Sequence, residues 1–329
     1  MAETYLGTLD HHDPLFEVLA LRAYPETRHP VFHVRRMSGH HLVYRYSEQT
    51  TKSSVVGKFF RLNESNEHTL ARIKGEYRNL VRLRYLGLAT HPYSVVRPLC
   101  REEKIGLAVA EEFVEGKDLD RFICGAVDDD GTRALKHALR RLASFLHTLH
   151  ERSAGASIAR QEEVGAYFQR IVGKLQRQGV IDRGQGAWFL KQGDRWLSAP
   201  FMIAEEVLVH GDATPTNFIF RGSDDVVAID LERMRRSDRV FDVGMVCGEL
   251  KHAFLWRAGD RYASEPFITG FLKGYAQRFH RPDEAFRAIT QRVPFYMALT
   301  ELRIARNDWL RWDYRKRLTW EAGECLWWG

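Results

Sequence analysis

At 329 residues the chain is longer than one compact core usually organises, so two lobes are the starting expectation. Hydrophobic residues at 44%, charged residues at 28% and a mean hydropathy of -0.38 exclude a disordered or fibrous chain. The net charge of +6 suits phosphate-bearing ligands, but the basic clusters Arg233/Arg235/Arg236 and Arg311/Arg315/Lys316/Arg317 are interleaved with acids and read as solvated faces, so no nucleic-acid partner is expected.

In chain order, residues 1–28 read as an extension ahead of the first strand. Val31 to Arg36 and Leu42 to Tyr46 are short β-favouring runs, with Ser38-Gly39-His40 as a hairpin tip between them. Val55 to Phe60 gives a third strand that carries Lys58 among apolar neighbours. After Asn63 the period becomes helical: Leu70, Ile73, Tyr77 and Leu80 share one stripe, and Gly87 closes the helix. Val95 to Leu99 and Ile105 to Ala110 supply two more strands. Past Gly116 amphipathic helices take over, the first being the stripe Leu135, Leu139, Leu142, Leu146, Leu149 that starts at Thr132. Two apolar runs, Val207 to Val209 and Val226 to Ile229, interrupt the helices and flank a polar loop. From Val243 onward, helices rich in Arg and Trp return.

Cys100, Cys124, Cys247 and Cys325 lie far apart, without the paired spacing of a zinc site or a redox couple, which fits a reducing cytoplasm. Glu3, Asp10, Asp13 and Glu17 interrupt the first apolar positions, so no signal-peptide core is read there, and no later apolar run is long enough to span a bilayer. The paired histidines His11/His12, His40/His41 and His147/His150 are read as packing or surface residues.

The segment from Val209 to Phe220, His-Gly-Asp followed after four residues by Asn217, and then Val227-Ala228-Ile229-Asp230, carries the chemistry. Asp212 and Asn217 alone would suit a turn, with one as cap and the other as hairpin residue. A turn does not explain why Asp230 follows directly on an apolar strand whose end would be buried beside that loop.

This signature resembles that of the aminoglycoside phosphotransferases and the related choline, sugar and amino-alcohol kinases, and the likeness runs from about Val31 to near the end of the chain. It implies an α+β, protein-kinase-like bilobal fold: a nucleotide-binding lobe over 29–112 with an antiparallel sheet and one main helix, a hinge at 113–117, and a larger, mostly helical lobe over 118–329. It implies ATP and Mg²⁺ as cofactors and a small-molecule hydroxyl as phosphate acceptor, of aminoglycoside, sugar or amino-alcohol type. Asp212 would then be the catalytic base, with His210 supporting its loop. Asn217 and Asp230 would be the metal ligands. Lys58 would contact the α- and β-phosphates and pair with Glu76, or failing that Glu67, on the following helix. Gly39 falls where the phosphate-covering loop belongs, and backbone groups of Glu112 and Val114 would read the adenine edge. Asp242 would brace the catalytic loop or cap a helix beginning at Val243, while Glu232 is either a metal or substrate contact or a solvent-facing acid.

Several departures separate the chain from protein kinases. The first hairpin lacks Gly-x-Gly-x-x-Gly, Leu231-Glu232 follows Asp230 in place of Phe-Gly, and Thr214 stands where a catalytic-loop lysine is expected. The stretch from Asp230 to Asp242 is too short for a peptide-docking activation segment, which favours a small acceptor. Glu249, Asp260, Glu301, Asp308 and Asp313 could meet a cationic acceptor, Arg303 and Arg306 an anionic one. The tryptophans Trp309, Trp312, Trp320, Trp327 and Trp328 are read mainly as core or dimer contacts. Two alternatives remain: a non-catalytic nucleotide-binding module, and a kinase for a lipid-linked sugar that meets a membrane surface through Arg233, Arg235 and Arg236.

Overall fold

The early β-favouring runs fold as β1 (Glu3–Thr8), α1 (Pro14–Arg22), β2 (Phe32–Met37), β3 (Leu42–Glu48), β4 (Ser54–Phe59), α2 (Glu67–Tyr85), β5 (Ala89–Thr90), β6 (Tyr93–Val95), β7 (Pro98–Glu102) and β8 (Leu107–Glu112) in the computed structural model, which describes residues 3–37, 42–61, 67–128 and 131–328. Six strands pair antiparallel in the order β1-β2-β3-β4-β8-β7. Leu15 and Leu19 of α1 pack into one core with Phe32, Tyr46, Val55 and Leu107. Ile73 of α2 packs with Phe60 and Ala108. Helix α2 stops in a glycine cap: Gly87 takes φ 91, and the Leu88 amide donates back to Leu83 O at 3.0 Å.

Three readings change here. Glu3–Thr8, read as part of an extension, is the edge strand of the sheet, and α1 follows it with Asp13 accepting from the Leu15 amide at 2.9 Å. The run Val95 to Leu99 is divided between β6 and β7, because the Val96 amide turns to Ala228 O at 2.9 Å before Pro98 opens the next strand. The strand expected from Ile105 begins at Leu107, since Glu103–Ile105 form a single 3-10 turn closed by Gly106 at φ 75.

Past Gly116 the elements are β9 (Lys117–Asp118), α3 (Leu119–Asp128), α4 (Thr132–Ser153), α5 (Gln161–Arg177), α6 (Arg183–Leu197), β10 (Glu206–Val209), β11 (Phe218–Arg221), β12 (Asp225–Ala228), β13 (Arg235–Asp238), α7 (Val240–Ala258), α8 (Glu265–Ala276), α9 (Pro282–Thr290), α10 (Val293–Ala305) and α11 (Trp312–Trp328). The chain divides into two compact units: Met1–Gly116 with Arg221–Met234, and Lys117–Phe220 with Arg235–Gly329. The first is thus the sheet unit plus β12, which lies parallel to β6, so the Asp230 segment groups with the sheet. The second is mostly helical, which makes the class α+β as expected. In it β10 pairs with β13 and β11 with β9.

Two helices set the geometry of the second unit's polar residues. Helix α7 carries Gly244 and Gly248 one turn apart, and a Cβ at either would stand 2.4 Å from Tyr296 Cβ or 2.8 Å from Thr300 Cβ on α10. Side chains there would hold the helices apart, so the two glycines let α7 and α10 approach closely. The second helix is α4, whose stripe Leu135, Leu139, Leu142, Leu146 and Leu149 is buried as its period requires. No helix among the described residues is long and apolar enough to cross a membrane.

Candidate active site

In the first unit, Lys58 enters from β4 into a nearly closed setting. Its Nζ lies 2.6 Å from Glu76 Oε1, 3.4 Å from Glu111 Oε1 and 3.5 Å from Asp230 Oδ1. Glu76 of α2 is therefore the partner, and Glu67 is exposed at the start of the same helix. Glu111 is the partner that sequence reasoning missed. The register supplied the signal: Glu111 pairs with Val56, two residues before Lys58, which makes it a diagonal neighbour on the same face of the sheet. Burial pulls the Lys58 ammonium down, but Glu111, Glu76 and Asp230 outweigh it and hold its pKa well above the ordinary lysine value. Burial pushes the Glu76 carboxyl up to about 8 against the attraction of Lys58, and burial raises Glu111 as well. Three acids thus surround one lysine.

Asp230 ends β12 and takes φ 61 and ψ 57, a left-handed conformation that few residues with a Cβ adopt. The turn after it is pinned: Asn79 Nδ2 of α2 donates to Leu231 O at 2.8 Å. Glu232 is buried and lies 3.6 Å from Arg233 Nε, so it is not a solvent-facing acid. At the other end of the sheet the Glu112 amide donates to Arg97 O at 3.0 Å and the Phe113 amide to Ser54 O at 3.0 Å. Only the carbonyl of Glu112 can then serve the role expected of its backbone. Gly39 lies outside the described residues.

In the second unit, β10 delivers His210-Gly211-Asp212 into a loop that is buried and internally bonded. Gly211 takes φ 78, which turns the chain sharply before Asp212. The Asp212 amide donates to His210 Nδ1 at 3.3 Å, and Asn217 Nδ2 donates to Asp212 O at 2.9 Å. With its nitrogen engaged there, the amide oxygen of Asn217 is the atom suited to a hard cation. His210 is fully buried and its ring packs 5.2 Å from that of Phe218.

Asp242 holds this loop from below. It sits in the first turn of α7, which starts at Val240 and not at Val243, so it does not cap the helix. Its carboxylate accepts from the His210 amide at 2.6 Å and the Gly211 amide at 3.0 Å, with His150 Nε2 at 3.2 Å. Burial alone would raise its pKa, but the His150 bond, the charges of His150 and His210 and the Gly211 amide hold it below the ordinary value. His150 is itself pulled down by burial and passes the contact on to Tyr275 Oη at 2.7 Å.

The residue that sequence reasoning placed least well is Arg303. From α10 its Nη2 donates to Asp212 Oδ1, while Nη1 lies 3.4 Å from Glu249 Oε1 on α7 and 3.6 Å from Met245 Sδ. Burial would lower the guanidinium, yet Asp212, Tyr167 and Glu249 raise it. Burial pushes Glu249 up to about 7 against the pull of Arg303.

The other acceptor candidates are scattered. Asp260 caps its own turn by accepting from the Tyr262 amide at 2.8 Å, and Asp313 pairs with Arg311 at 2.7 Å on the surface. Trp309, Trp312, Trp320 and Trp327 are exposed and not buried in the core, and Arg261 covers Trp320 with its guanidinium 4.3 Å from the ring centroid. A cavity of about 500 Å³ between α6 and α11 is lined by Trp188, Phe189, Trp320 and Trp327, and Lys58, Asp212, Asn217, Asp230 and Arg303 are not among its lining residues.

The sequence pattern of the phosphotransferase enzyme family matches residues 33–288. Comparison with curated protein sequences found no match. Among solved structures, the chain resembles a Plasmodium vivax ethanolamine kinase at 11% identity, covering 94% of this chain and 86% of the other with a TM-score of 0.60. It also resembles an ADP-bound aminoglycoside phosphotransferase, APH(2'')-Ib, at 15% identity with coverage of 96% and 97% and a TM-score of 0.57. A choline/ethanolamine kinase family protein from Mesorhizobium loti aligns at 15% identity, with coverage of 89% and 88% and a TM-score of 0.55. At such identities the likeness establishes the fold, which is protein-kinase-like.

Proposed function

Since the chain belongs to the phosphotransferase enzyme family, it is a small-molecule kinase acting on a hydroxyl group, and we propose that ATP is its donor, Mg²⁺ its metal and Asp212 its base. Lys58, aimed by Glu76, would hold the nucleotide phosphates, and Gly39 with the backbone of Glu112 and Val114 would cover and seat the nucleotide. The donor set suits the metal: Asn217 and Asp230 offer hard oxygen ligands, one neutral and one a carboxylate. When bound, Mg²⁺ would supply charge neutralisation for the nucleotide's phosphates. Asp212 would accept the proton of the attacking hydroxyl, while His210 and Asp242 keep its loop in place as positioning residues.

The observation that carries this reading is Lys58 Nζ within 2.6 Å of Glu76 and 3.5 Å of Asp230. Calorimetric titration with Mg-ATP tests it. Lys58→Met should weaken binding by ~10-fold or more, the equivalent of about 1.4 kcal/mol. Unchanged affinity in that variant, together with unchanged ADP release in an acceptor screen, would sink the assignment. The membrane reading draws no support from the basic cluster. Arg236 lies 3.8 Å from Glu206, Arg233 lies 3.6 Å from Glu232, and the Arg235 guanidinium covers the Phe241 ring at 4.1 Å.

A further inference from the structure

We infer that Arg303 sets the acceptor class: it is a built-in counter-cation on Asp212, so the reacting hydroxyl belongs to an uncharged sugar or polyol and not to an ammonium-bearing compound. This rests on the reading of Asp212 as the base. A site that recognises an amino sugar or amino alcohol needs carboxylates whose charge is uncompensated near the reacting hydroxyl. Here Asp212 and the neighbouring Glu249 are already joined through one guanidinium.

The arrangement is built in at three levels. Arginine keeps its charge at any physiological pH, so the counter-cation cannot be neutralised when an ammonium arrives. Only 12% of the Arg303 side chain is exposed, and it is held from two sides by Asp212 and Glu249. The close approach of α7 to α10 at Gly244 and Gly248 then fixes Glu249 and Met245 against Arg303, so the guanidinium does not depend on a loop for its position. Asp212 and Glu249 thus share one fixed positive charge, held between them by geometry. An ammonium placed beside Arg303 would meet like-charge repulsion, and the carboxylates of Asp212 and Glu249 are already engaged by that guanidinium, whereas a neutral hydroxyl compound meets no such repulsion. Like charges a few ångströms apart in a partly buried site discriminate on the order of 100-fold.

Two measurements test the inference, one with turnover and one without. In an ADP-release assay with matched pairs such as glucose and glucosamine, the neutral member should be favoured by ~100-fold in kcat/KM, and Arg303→Gln should narrow that ratio at least ~10-fold. Preference for the amino member, or a ratio that Arg303→Gln leaves unchanged, overturns it. Independently of turnover, calorimetric titration with neomycin as a polycationic probe should show no binding to the wild type and binding to Arg303→Gln. Equal isotherms, including none in either protein, overturn the inference. Because Arg303→Gln strands two buried acids, the double variant Arg303→Gln/Glu249→Gln, which leaves only Asp212 without its counter-cation, is titrated beside it, and the same outcome is expected. Failure of the phosphotransferase assignment would look different: ADP release would be the same in wild type and Asp212→Asn, whatever neomycin does.

Discussion

Asp230 occupies a left-handed backbone conformation, φ 61 and ψ 57, that costs an L residue about 1–2 kcal/mol. Such strain survives only where neighbours over-determine it, and here the Asn79 bond to Leu231 O fixes the turn from α2. The carboxylate held there also adds to the acid excess around Lys58. Asp230→Asn should therefore melt no lower than the wild type, since Asn tolerates the left-handed region and Lys58 keeps Glu76 and Glu111 as partners, while turnover falls by about 10²-fold or more. A thermal scan beside a steady-state assay checks both halves, and a variant that loses stability and activity together would refute the proposed division of roles. Asp212→Asn should lose about 10²–10⁴-fold in kcat while keeping Mg-ATP affinity, because the base acts on the acceptor and not on the nucleotide.

At the scale of elements, the α7–α10 crossing is where packing and chemistry meet. Gly248→Ala would drive a methyl to within 2.8 Å of Thr300 Cβ, a clash that should cost about 1–3 kcal/mol in urea unfolding. Its activity should fall further than that loss accounts for, because Arg303 and Glu249 lie on the same pair of helices; activity lost only in step with stability would count against the coupling. This crossing was not legible in the sequence. Gly244 and Gly248 can be read as a small face on a helix, but nothing local says that Tyr296 and Thr300 are what it meets. Likewise Asp212 and Arg303 are separated by 91 residues, and only the fold joins them. By contrast α2, α4 and the order β2, β3, β4 were legible, since each carries its own period and its own turn or cap. Helix α1 had a local signal too, Asp13 followed by Pro14, which the short and largely exposed strand ahead of it obscured. The loop that carries Asp212 was legible for another reason: Asp212, Asn217 and Asp230 are close in sequence, whereas Glu111 entered through strand register alone.

For the molecule as a whole, buried acids shape the response to pH. Glu301 on α10 is fully buried, neither of its carboxylate oxygens has a hydrogen-bond partner among the described residues, and burial pushes it from 4.5 up to about 8. An acid whose native pKa lies above its unfolded value binds more protons in the native state, so its contribution is fully present below the unfolded pKa and is lost as pH rises through the native one. Glu249, pushed up to about 7, acts in the same sense. Asp242 acts in the opposite sense, its contribution being present above the ordinary aspartate range and lost as pH falls. His252, pushed down by burial to about 4, and His147 and His150, also lowered by burial, act against this below about pH 6.5. Stability should therefore decline as pH climbs from about 6.5 to about 8, and Glu301→Gln should flatten that decline. Melting temperatures across this window test it; a wild type that gains stability with pH, or a variant with the same slope, would contradict the assignment. The central claim, that the chain moves the γ-phosphate of ATP to a hydroxyl with Asp212 as base, is tested most directly by phosphorus NMR of the reaction mixture with Mg-ATP and a panel of neutral sugars and polyols. The expected result is a phosphomonoester resonance that grows in step with ADP and is absent in Asp212→Asn. Inorganic phosphate as the sole product with every acceptor, or the same ester at the same rate from Asp212→Asn, would contradict it.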